Sequence, residues 1–289
     1  MTLTPDYSQW QQRDELDLLQ IDAPFGQALI ARQGAQLLQY QAHGQSPMLW
    51  LSPLARFQRG KAIRGGIPLC WPWFGAHPHD SSLPQHGIAR QLDWTLQQAE
   101  VTPQGASLHW QLQDSDTSRA LWPHAFRLEL HMQLGTTLRL TLTMHNLDDR
   151  PLTTSHALHS YFPVPQVAQA TVDGLDGCSF YSKPDQQSGK QQGPVQIDGL
   201  LDRVYLNAPD TLTLHRPGLP VLQLRSEGLH SAIVWNPGPA AEQHIPDVGP
   251  HWPQMLCVEN GNALDNSLTL AAGGSHRVRL AIAEQSVAC

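Results

Sequence analysis

No apolar run of about 18 residues occurs in this chain, so a membrane-spanning helix of ordinary length is not expected. The opening stretch, MTLTPDYSQWQQRDELDLLQ, lacks a basic segment followed by an apolar one, and an export signal is not expected either. Positive charge is scarce: 18 Lys and Arg stand against 25 Asp and Glu, for a net charge of -7, with no basic cluster to offset it. A polyanion such as nucleic acid is therefore not an expected partner, and any anion site must be local. Cysteine is scarce too. Cys70, Cys178, Cys257 and Cys289 show no C-x-x-C spacing, and four in 289 residues make no disulfide framework. Reduced, mostly buried thiols in a cytoplasmic enzyme or binding protein are the expectation.

Helical periodicity is also missing, since no window of about a dozen residues carries a 3.6-residue apolar stripe. What is present is alternation. Phe126, Leu128, Leu130, Met132 and Leu134 alternate with polar residues, Gly135-Thr136-Thr137 intervenes, and Leu138, Leu140, Leu142 and Met144 resume the pattern. Period two around a short turn containing glycine predicts a hairpin. The same alternation recurs at Leu212 and Leu214, at Leu222 and Leu224, and at Val278, Leu280 and Ile282. With 23 Pro and 22 Gly as punctuation, the fold class is all-β, a sandwich of many short strands. A single domain over residues 1–289 is expected, with the first stretch of about 20 residues peripheral. Residues 76–84 and 182–193 read as surface loops, and 237–252 as a Pro- and Gly-rich connection.

Polar chemistry gathers in four islands: KAIRGGIPLCWPWFG (61–75), LPQHGIAR (83–90), SHALHSYF (155–162) and LCVENGN (256–262). In SHALHSYF, His156 and His159 have metal-ligand spacing only if the segment is helical, because in a strand residues three apart point to opposite faces. Tyr161-Phe162-Pro163 favours a strand, so no metal is expected. The His77-Pro78-His79 pair lies in a Pro-rich loop without a third ligand nearby and reads as solvated. Glu259 follows Leu256-Cys257-Val258 at the end of an apolar strand and precedes an Asn260-Gly261-Asn262 turn. A carboxylate and an imidazolium facing each other across a cleft can move two protons at once. Arg64 beside two glycines and Arg90 near Gly87 suit an anionic group, since glycine lets a ligand approach the backbone and guanidinium matches phosphate oxygens. Trp71, Trp73 and Phe74 read as core, with one ring free to stack on a sugar.

The ordered motifs RGGIPLCWPWFG, LPQHGIAR, SHALHSYF, LDRVYLN (201–207), IVWNPG (233–238) and CVENGN resemble those of the D-hexose-6-phosphate mutarotases, or glucose-6-phosphate 1-epimerases, of the aldose 1-epimerase superfamily. The resemblance runs from about Leu51 to the last strands. It implies a galactose-mutarotase-like β-sandwich of large twisted antiparallel sheets, a cleft on one concave sheet face, and no metal or organic cofactor. It implies that His159 is the general acid and Glu259 the general base, and that Arg64, Gln85, His86, Arg90 and Asp202 contact substrate. The substrate class is then a small-molecule hexose phosphate, glucose 6-phosphate first, handled by a monomer that engages neither nucleic acid nor membrane. One position departs from the family pattern: Asn260 follows Glu259 where the family has proline, which leaves that turn looser. Two other classes stay open at this point. A non-catalytic sugar-binding module needs no acid-base pair, and a glycoside hydrolase or lyase wants a second carboxylate, for which Asp202 is the candidate.

Overall fold

The computed structural model describes residues 7–285. Strands dominate, and the two largest sheets, of eight and nine strands, are antiparallel throughout. The expected hairpin forms between Phe126–Leu134 and Thr137–Asn146, with Thr137 already in the second strand. Its alternation is the cause of its placement: Phe126, Leu128, Leu130 and Met132 are buried while Arg127, Glu129 and His131 stay partly exposed. Leu212, Leu214, Leu222, Leu224, Val278 and Ile282 are buried in the same sheet. Each such side chain contributes about 1.5–3 kcal/mol by leaving water.

Facing it, the eight-stranded sheet turns Leu158, Tyr205, Val234, Leu256 and Val258 inward, and these join the nine-stranded sheet's apolar residues in one buried cluster. This is the sandwich that the alternation predicts. The N-terminal stretch is less peripheral than expected. Ser8–Arg13 and Leu16–Ala23 pair as the first strands of a four-stranded sheet, and Leu19, Ile21, Ile30 and Leu37 of that sheet enter the same cluster. Trp71 packs there against Trp122 and Phe126, with ring centroids 4.9 and 4.6 Å away.

Three further sequence expectations need correction. Asn260-Gly261-Asn262 is not a turn: the strand runs over Met255–Asn262, and Asn260 pairs with Ala232 on one side and Leu158 on the other. The ladder on both sides therefore holds the backbone behind Glu259. Gly261 is required there, because a Cβ would lie 2.2 Å from the His156 carbonyl oxygen. The 182–193 loop is largely a hairpin, Ser179–Ser182 with Gln187–Lys190, at the edge of the eight-stranded sheet. The 237–252 connection contains a short helix, Ala241–His244, and most of a 3-10 turn, Gly249–Gln254, whose proline residues the sequence pattern masked.

Candidate active site

The Met255–Asn262 strand is buried on both faces. One face meets the core through Leu256 and Val258; the other carries Cys257 and Glu259. On the neighbouring strand the register is identical before and after His159: Leu158 pairs with Asn260 and Tyr161 with Cys257. His159 therefore falls opposite Glu259 on the outer face, and the two meet with Nε2 3.4 Å from Oε1. Alternation sends His156 to the other face, beside Asn262, so the H-x-x-H spacing joins no common ion.

His159 is 6% exposed and Glu259 1%, a cost that folding tolerates only for a purpose or a partner. Burial, reinforced by His86, Arg90, Arg64 and Lys183, pushes the His159 imidazolium well below the usual histidine range. Burial raises the Glu259 carboxyl well above its own, with Asp202 adding to the rise and Lys183 and Arg90 opposing it. Both shifts disfavour charge, so burial outweighs the charge attraction on which a standing imidazolium depends. His159 Nδ1 and Glu259 Oε2 are buried without a hydrogen-bond partner, which leaves donor and acceptor capacity for a ligand.

A cleft of about 700 Å³ opens over this pair. All seven residues singled out in the sequence line it: His159, Glu259, Arg64, Gln85, His86, Arg90 and Asp202. Arg64 Nη1 donates to the Tyr161 hydroxyl at 3.0 Å, and Nε donates to Asp247 Oδ2 at 3.2 Å. Its two glycines serve the backbone rather than a ligand. A Cβ on Gly65 would lie 2.5 Å from the Trp50 carbonyl oxygen, and one on Gly66 2.1 Å from that of Leu37. Arg90 Nη2 donates to the Gln85 carbonyl at 2.8 Å, and its buried Nε has no partner. His86, at φ 64°, accepts from the Gly75 amide through Nδ1, and burial holds its imidazole neutral, with Arg90 and Lys183 adding to the effect. Gly87 behind it closes on Trp71, whose carbonyl receives the Ile88 amide at 2.8 Å, and this joins two of the four islands.

Sequence reasoning missed four contributors. Lys183, from the edge hairpin, sits 3.4 Å from Asp202 and 4.5 Å above the Phe74 ring. Tyr161 stacks on His159 with centroids 4.7 Å apart and planes 5° from parallel. Trp235 lies edge-on to both. Period two could have found Tyr161, two residues beyond His159, whereas Asp247 enters from an irregular connection and left no signal. Of the aromatic cluster, Phe74 lines the cleft while Trp71 and Trp73 are buried.

The family model for aldose 1-epimerase matches residues 17–283. The chain belongs to the aldose 1-epimerase family. An Escherichia coli K12 relative bearing the name "Putative glucose-6-phosphate 1-epimerase" is 37% identical over 256 residues, covering 86% of this chain and 84% of its own. The crystal structure of a Salmonella typhimurium protein described as a putative mutarotase, YeaD, is 35% identical, with a TM-score of 0.89, covering 98% of this chain and 96% of that one. The Slr1438 protein of Synechocystis shares the fold at 19% identity, with a TM-score of 0.77 and 98% of each chain covered. This aldose 1-epimerase family member thus has the mutarotase-like all-β fold that its motifs imply, and the match begins well before Leu51. Among the described residues no helix is long and apolar enough to cross a membrane.

Proposed function

We propose that this chain interconverts the α and β anomers of a hexose 6-phosphate, glucose 6-phosphate first, by opening and reclosing the pyranose ring. The opposition of His159 and Glu259 at 3.4 Å in a buried position beneath the cleft carries this reading. Glu259 takes the proton of the anomeric hydroxyl as His159 gives one to the ring oxygen. The ring carbon-oxygen bond breaks to an open aldehyde, rotation about the adjacent carbon-carbon bond turns the carbonyl face, and reclosure reverses both transfers. The step starts with the pair's proton on His159 and ends with it on Glu259, and because burial disfavours both charges, the bound substrate has to stabilise the charged starting arrangement. Positioned acids and bases each contribute about 10²- to 10⁴-fold, adequate for a reaction that water already allows.

Arg64, Arg90 and Lys183 give the cleft its cations, set against Asp202, Asp247 and Glu259. Arg64 is already engaged by Asp247, whereas Arg90 keeps an unpartnered guanidinium nitrogen, so Arg90 is the principal phosphate ligand and Arg64 a secondary one. Asp202, whose carboxyl burial raises against the opposing pull of Lys183, accepts from sugar hydroxyls, as Gln85 and His86 orient the ring. The immediate partner of Glu259 is an imidazole, and Asp202 lies two strands away, in register with Cys257 and not with Glu259. That favours ring opening over glycoside cleavage. We place the reaction in the cytoplasm, where sugar phosphates are made and used, and carried out by a monomer. The test is the interconversion of pure α-glucose 6-phosphate, corrected for the spontaneous rate and followed with a dehydrogenase specific for the β form. Acceleration for the phosphate well above that for free glucose supports the proposal; release of sugar from a glycoside with no effect on anomers overturns it.

A further inference from the structure

Cys257 stands on the same face as Glu259, two residues earlier, and pairs in the ladder with Tyr161, the residue stacked on His159. The donor atoms of His159, Cys257 and Glu259 lie within 4.8 Å of one another, and all three residues are buried. Imidazole nitrogen, thiolate sulfur and carboxylate oxygen are the donor types of zinc sites. With bond lengths of about 2.0–2.3 Å and tetrahedral angles, two donors to one zinc ion stand roughly 3.3–3.6 Å apart. The His159 to Glu259 separation, 3.4 Å, already has this value, and the sulfur lies within 4.8 Å of both from behind the cleft, which His159 and Glu259 line. A second observation points the same way: Glu259, 1% exposed, keeps its other oxygen without a partner.

We propose that His159, Cys257 and Glu259 form an inhibitory site for a thiophilic divalent cation, zinc above all, which binds in place of substrate. The inference rests on the reading of His159 and Glu259 as the proton-transfer pair, because the ion would occupy the lone pairs on which those transfers depend. Three protein ligands leave a fourth position for water from the cleft, and the thiol proton leaves to solvent on binding. Resident sites fix each ligating histidine through its second nitrogen, whereas His159 Nδ1 has no such partner. The ion is therefore captured reversibly and is not a standing cofactor.

The experiment uses full-length protein freed of metal by a chelator, titrated with zinc chloride by calorimetry and assayed in parallel for anomer exchange. Zinc should compete with glucose 6-phosphate, and chelator should restore full activity. Cys257→Ser and Cys257→Ala should keep metal-free activity and weaken zinc inhibition by more than about 10-fold, a loss that removal of a mere outer partner can bring. In a Cys70→Ser, Cys178→Ser, Cys289→Ser background, cadmium chloride should give the ultraviolet charge-transfer band of a cadmium-thiolate bond, and Cys257→Ser should abolish it. Undiminished zinc inhibition in both Cys257 variants, a missing cadmium band, or activity lost on chelation and restored by zinc would overturn the site. If the Cys257 variants fail to fold, the cadmium band in the parent background decides. Failure of anomer exchange in metal-free wild-type protein would strike the epimerase reading alone, since the cadmium band reports the site without turnover.

Discussion

Tyr161 joins the two halves of the site: its ring lies parallel to the His159 imidazole at 4.7 Å, and its hydroxyl accepts a hydrogen bond from Arg64 at 3.0 Å. The proposed proton-transfer pair and a proposed phosphate ligand are thus linked by one side chain. Tyr161→Phe keeps the stacked ring and removes only the hydroxyl. A hydrogen bond to a charged group contributes about 1.5–3 kcal/mol, but this one holds Arg64 and not substrate, so KM for glucose 6-phosphate should rise by at most roughly 10-fold, with kcat little changed. Steady-state kinetics check this, and a fall in kcat at constant KM would place the hydroxyl in the chemistry instead.

Arg90→Ala tests the phosphate assignment. A sugar phosphate carries a charge of about -1.5 to -2 at neutral pH, and loss of one charge-assisted contact should raise its KM by roughly 10- to 100-fold. Weak turnover of free glucose should be unchanged, and an equal loss on both sugars contradicts the role. Arg64→Ala should cost less in binding than its two hydrogen bonds suggest, because it also releases Asp247.

Stability should fall on acidification below neutrality, with His156 as one cause. Burial, with His276 adding to it, lowers this imidazole from 6.5 to about 3. Above pH 6.5 it is neutral in both folded and unfolded chains and has no pH-dependent effect. Between pH 6.5 and about 3 the unfolded chain binds a proton that the folded chain refuses, so stability drops by up to about 1.4 kcal/mol per pH unit from this residue. Urea unfolding at pH 7, 6 and 5 measures the slope, and His156→Gln, neutral throughout, should reduce it. A slope identical in the variant would contradict the assignment.

The sheets were legible because alternation is local: each buried residue in Phe126–Leu134 is announced by its polar neighbours. The motifs carried the candidate site because three of the islands hold glycines in close backbone contact, as Gly261 is with the His156 carbonyl of the fourth and Gly87 with Trp71. Partnership between strands is not local. Nothing in LCVENGN says that His159 will stand opposite Glu259, and that relation comes from a register fixed by pairs on either side. Lys183 and Asp247 were invisible for a different reason. Their segments lack periodicity, and each reaches the cleft through pairing or packing of distant chain: Lys183 through the Asp202 carbonyl, Asp247 through the Ser52 hydroxyl. The charge state of the pair was equally hidden, because it depends on burial that only the folded chain creates.

The most direct test of the central claim is anomer exchange of glucose 6-phosphate measured by NMR for wild-type, His159→Asn and Glu259→Gln proteins, alongside ligand binding by calorimetry. Enhanced exchange should vanish in both variants while binding persists within a few-fold, as expected when an interaction made in the transition state is removed. Exchange at the wild-type rate in either variant would contradict the assignment of His159 and Glu259 as the groups that open the ring.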